Sequence, residues 1–158
     1  MKKLCSFILL LIIFVSGCDL LLNDNPPSYI KDVVAYKEGS EGIEIYFILA
    51  DDSGAMTTSD GTVFLTITET HTEWNTRVSK FIEIEEKLYS KTISVKKTDF
   101  RKAKVGTGAF EHEVILYLIG RVDYSSLTKK PSEMSGKVKV EFQMPNGKLL
   151  KGETTIFF

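Results

Sequence analysis

The chain offers few residue groupings able to do chemistry. Its two histidines are His71 and His112. The run Glu111-His112-Glu113 has the side chains of a metal site. In a strand, however, neighbours point to opposite faces, so both glutamates face away from the imidazole unless the strand bulges. A half-buried structural histidine is the expected state of His112. Asp51, Asp52, Ser53 and Asp60 could offer oxygens to calcium, but they lack the spacing and closing glutamate of an EF-hand loop. Asp-Ser-Gly and Ser-Asp-Gly are ordinary turn formers. No metal or soluble cofactor is expected. The sequence contains no G-x-S-x-G elbow, H-E-x-x-H helix or P-loop, so non-catalytic work is expected.

Trp74 is the sole tryptophan and lies with His71, Glu73 and Asn75 in a stretch, 71–76, that reads as a connection between strands. An exposed aromatic flanked by hydrogen-bonding groups suits a protein or sugar contact. The competing and commoner fate is a tryptophan folded back to plug one end of the core. Trp74 and His71 are thus the candidate binding residues. Lys96, Lys97, Arg101, Lys102 and Lys104 form a basic stretch that reads as a charged loop over 96–106, able to face anionic headgroups.

The strongest signal is N-terminal. Lys2 and Lys3 precede nine unbroken apolar residues, Phe7 to Val15, the length of a signal-peptide core and too short to span a bilayer. Val15-Ser16-Gly17-Cys18 follows. This tetrapeptide resembles the lipobox of bacterial lipoproteins. The resemblance implies cleavage after Gly17, a diacylglyceryl thioether on Cys18 and residence in the cell envelope, outside the cytoplasm. The lipid on Cys18 is then the one prosthetic group. An uncleaved anchor over Leu4–Leu22 is the alternative; Asp19 within that run argues against it.

Removing residues 1–17 leaves 18 basic against 21 acidic residues, a formal charge near −3, which gives no basis for nucleic-acid binding. It also removes Cys5, and a lipidated Cys18 leaves no thiol for disulfides or nucleophilic chemistry. The fold must rest on its hydrophobic core.

Residues 18–29, with Pro26 and Pro27, read as a tether, and residues 30–158 as one domain. Period-2 alternation dominates that domain. Strands are expected at 31–37, from Ile43 to Leu49 and from Val63 to Thr68. Val78, Lys80, Ile82 and Ile84 share one strand face; Tyr89, Lys91, Ile93 and Val95 share the face of a separate strand. The segment from Phe110 to Ile119 is apolar on both faces and belongs at the centre of a sheet. Residues 125–136 read as loop, Val138 to Met144 as a half-buried strand, and Leu149 to Phe158 as its hairpin partner. Asn146-Gly147 would supply the positive φ angles of a tight turn between those two.

About eight strands with no helical period indicate an all-β, two-sheet antiparallel sandwich. The pattern resembles an immunoglobulin or fibronectin type III-like domain in architecture only, because the Cys–Trp–Cys core is absent. An outer-membrane barrel is disfavoured by the doubly apolar strand. Together these features lead to the expectation of a membrane-tethered adaptor for an envelope protein or glycan. A small-ligand or carbohydrate-binding lipoprotein is the alternative, and a hydrolase with an unrecognised carboxylate site is a third reading.

Overall fold

Alternation of β-branched and aromatic residues with polar ones produces nine strands in the computed structural model, which describes residues 25–39, 41–105 and 111–158. They are β1 (Tyr29–Glu38), β2 (Gly42–Ala50), β3 (Met56–Thr57), β4 (Gly61–Asn75), β5 (Lys80–Val95), β6 (Arg101–Val105), β7 (His112–Asp123), β8 (Ser135–Gln143) and β9 (Leu149–Phe157). All pairings are antiparallel. One sheet runs β1-β2-β7-β6 with β3 beside β2, and the other runs β5-β4-β8-β9. The two sheets form a β-sandwich, as the alternation implied. Residues 1–24, including Val15, Ser16, Gly17 and Cys18, lie outside the described residues, as does Phe110.

Ile43, Ile45, Phe47 and Leu49 of β2 face Val63, Leu65 and Ile67 of β4 and Val138, Val140 and Phe142 of β8 across a dry core. Phe47 lies at its centre, with ring centroids 5.5 Å from Tyr117, 5.8 Å from Phe142 and 6.0 Å from Phe100. At one side β1 packs against β9, the edge strand of the other sheet. Gly152 permits that approach: a Cβ there would sit 2.8 Å from a Val33 methyl and 2.9 Å from an Ile30 methyl. A second apolar cluster, Tyr46, Ile48, Val114 and Leu116, occupies the outer face of the five-stranded sheet. β7 is therefore apolar on both faces and interior, between β2 and β6.

Several expected boundaries are corrected. The two strand faces read before and after residue 87 belong to one strand, β5. Its pairing with β4 skips Leu88, and that β-bulge converts the even-numbered inner face into an odd-numbered one while burying Leu88 fully. The parity change that reads as two strands is thus one bulge. A second bulge skips Ile119, beside Gly120 at φ +104°. The basic stretch expected as loop contains a 3-10 turn (Lys97–Asp99) and β6. In the β8–β9 turn only Gly147 has positive φ. Gly147 N–H donates to Met144 O, and Met144 N–H to Lys148 O. That bonding marks a type I turn with Pro145 in the first central position, closed by a glycine bulge.

The sandwich has two poles. At the proximal pole the chain enters at Asn25, whose amide donates to Asp51 Oδ2 at 3.0 Å. Its carbonyl accepts from Thr57 Oγ1 at 2.7 Å, and Pro27 is buried. At the distal pole lie the β1–β2 turn, the segment from Tyr124 to Met134, and the far ends of β4 and β5.

Candidate functional site

β4 pairs with β8 from Thr62 to Glu69, where its partner is Gly136 near the start of β8. Beyond Glu69, β4 pairs only with β5, from Thr70↔Glu85 to Asn75↔Lys80. Six residue pairs thus form a two-stranded arm that leaves the sheet, roughly 20 Å long at about 3.3 Å per residue. This corrects the expectation that 71–76 is a connection. The turn is Thr76–Ser79. Asn75 Oδ1 organises it by accepting from Arg77 N–H at 3.0 Å and Val78 N–H at 3.3 Å, and Ser79 takes φ +49°.

Trp74 is opposite Phe81 on the arm. The rings meet edge to face with centroids 5.1 Å apart. Both are open to solvent, Trp74 at 53% and Phe81 at 68% exposure, and Val78 at the turn is 54% exposed. Trp74 does not plug the core. A large apolar tip on a two-stranded arm is unusual, because an isolated ribbon has no core to bury such residues in.

His71 is on the same strand but on the opposite face, three residues away in alternation. Its Nε2 is 3.1 Å from Glu73 Oε1, and its cross-strand neighbour is Ile84. The arm therefore does not bring His71 and Trp74 together on one surface. The residues that join Trp74 are Phe81 and Val78. Phe81 was readable as the opposite-parity neighbour of Lys80 and Ile82, but only the pairing register puts it across from Trp74.

The base of the arm is braced by charge. Glu69 is fully buried. It accepts from Ser132 N–H at 2.8 Å and Glu133 N–H at 3.4 Å, and it pairs with Lys129. Burial opposes its ionisation, but the Lys129 ammonium and the donors from Ser132 and Glu133 prevail and hold its pKa at about 2. Lys129 also bonds Glu86 at 2.6 Å, so one cation ties the Tyr124–Met134 segment to both arm strands. On the outer face, Glu85 pairs with Lys137 at 2.9 Å and with Lys139, and these ammonium groups hold its carboxyl below the usual range.

The other candidate groups lie elsewhere. His112 opens β7 and is exposed, correcting the half-buried expectation; Glu113 follows on the opposite face. Asp51 is buried and accepts from Ser53 Oγ at 2.6 Å, Asn25 Nδ2, Ala55 N–H at 3.0 Å and Ser53 N–H at 2.9 Å. Those donors hold its pKa at about 2. Asp60 Oδ1 accepts from Lys97 N–H at 2.7 Å. These two acids of the 51–61 loop are thus engaged as backbone staples at separate points. Among the described residues, no three His, Cys, Asp or Glu side chains group as metal ligands.

No protein-family model, curated protein sequence or solved structure matches this chain.

Proposed function

We propose that the protein is a membrane-tethered, non-catalytic adaptor of the bacterial cell envelope, anchored by lipid on Cys18, that grips a partner protein with the tip of the β4–β5 arm. One observation carries the reading: Trp74, Phe81 and Val78 are exposed together at the end of a ribbon that leaves the sandwich. Aromatic side chains of this kind dominate the energy of protein contacts. Polarity of the fold supports it. The chain enters at the proximal pole through Asn25, Pro27 and Ser28, and the arm leaves at the distal pole. A lipid on Cys18 would thus hold one pole at the bilayer and present the arm away from it. Acyl chains in pairs or threes anchor stably where a single chain does not.

The test uses the full chain in its native membrane. A photo-crosslinking residue at position 78, in the exposed turn, should capture one envelope protein repeatedly, and the W74A/F81A variant carrying the same crosslinker should lose that capture while remaining folded. A Cys18→Ala variant should leave the membrane fraction, and mass spectrometry of the N-terminus should find lipid on Cys18 in the parent. Capture that persists in W74A/F81A would remove the arm from the reading. An unmodified Cys18 would remove the anchor.

A further inference from the structure

At the distal pole, beside the base of the arm, a cleft of about 800 Å³ opens between the end of β1 and the Tyr124–Met134 segment. Its apolar surface comes from Tyr124, Leu127, Met134 and Phe158. The Tyr124 and Phe158 rings meet edge to face with centroids 6.5 Å apart, and Leu127 is buried beneath them. That volume is typical of small-molecule sites.

Three features point to what fits there. Lys37 Nζ stands 5.9 Å from the Tyr124 ring centroid. Among the described residues, neither Lys37 nor Lys130 has a carboxylate partner, whereas Lys129 is held by Glu69 and Glu86. The Tyr124 hydroxyl is buried and meets no hydrogen-bond partner. Buried hydroxyls are ordinarily satisfied, so this one is an unmet donor in the residue that forms the cleft wall. Burial raises the Tyr124 pKa, which keeps the hydroxyl a donor. Among the described side chains of the lining, Glu133 carries the one carboxylate, and its own N–H is turned to Glu69.

We propose that this cleft binds a small organic anion with an aromatic body: the acid group lies against Lys37 and Lys130, and the ring system lies on Tyr124, Phe158 and Met134. The site does not depend on the arm being a protein-binding surface, and the two readings fail separately.

The test compares two fluorescent probes of nearly equal shape on the full chain, anilinonaphthalene sulfonate and the uncharged N-phenyl-1-naphthylamine. The sulfonate should bind one saturable site. K37E/K130E should weaken it about tenfold, as expected when the charge facing an anion is reversed, and leave the uncharged probe unchanged. Both lysines are exposed, so this variant keeps its fold, and the uncharged probe reports that directly. W74A/F81A should change neither probe. Sulfonate affinity within twofold of the parent in K37E/K130E would overturn the proposal. So would the absence of saturable binding, or loss of binding in W74A/F81A, which would place the probe on the arm.

Discussion

The inner and outer halves of the β4–β5 ribbon are built from the same strands by the same alternation, yet they differ in every physical respect. Inside the sheet, Val63, Leu65 and Ile67 are buried against the opposite sheet. Outside it, Trp74 and Phe81 carry more apolar surface than any of those and leave much of it in water. The change falls at Glu69, where β8 begins alongside β4. Along one ribbon, then, the inner half packs into the core, the outer half leaves its aromatic surface in water, where the proposed function would use it, and a buried, paired carboxylate marks the joint.

The largest test of that division is in the core. Phe47→Ala removes a ring packed on Phe100, Tyr117 and Phe142 and should cost about 3–5 kcal/mol in urea unfolding. A cost near zero would mean that the core into which the inner half packs is not what stabilises the fold. Next is the joint. Glu69→Gln leaves Lys129 and the Ser132 and Glu133 donors without their anion, and should cost about 2–3 kcal/mol at neutral pH. Its pH dependence has a definite sign. The Glu69 pKa is lowered from 4.5 to about 2, so the stability it supplies is complete above 4.5 and is lost as pH falls toward 2. The gap between parent and variant should therefore narrow steadily across that interval, and a gap constant with pH would show that charge at Glu69 is irrelevant.

Smaller effects are expected farther out. W74A/F81A deletes a cross-strand aromatic pair and should cost less than about 1.5 kcal/mol while abolishing partner capture. A loss as large as that of Phe47→Ala would show that the tip is structural. Glu85→Gln breaks exposed pairs with Lys137 and Lys139 and should shift stability by less than about 1 kcal/mol, with the difference vanishing in high salt.

Much of the body was legible from the chain. Alternation in Ile43–Leu49, Val63–Ile67 and Val138–Phe142 identifies their inward faces, and a doubly apolar Val114–Tyr117 identifies an interior strand. The candidate site was only half legible. Trp74 stands out as the sole tryptophan, but Phe81 does not; Val78 reads as part of a strand face although it lies in the Thr76–Ser79 turn, and His71 groups with a residue on the opposite face. The arm was missed because 71–76 is polar and reads as turn. The β5 side of the arm carries a half-buried stripe, Ile82 and Ile84, but the facing β4 residues Glu73 and His71 are polar, so no matching stripe on β4 announces the pairing.

By itself, then, the sequence determined the all-β class and the inward faces of the core strands. These depend on side-chain type and on spacing of one or two residues, which local chemistry sets. Tertiary structure alone decided that a bulge at Leu88 merges two apparent strands, that Glu69 reaches Lys129 sixty positions on, and that Trp74 stands in water. Each of those depends on which distant strand lies alongside and where it stops. A residue's burial is a property of its neighbours in space, and β8, which begins beside Glu69, is far from Trp74 in the chain.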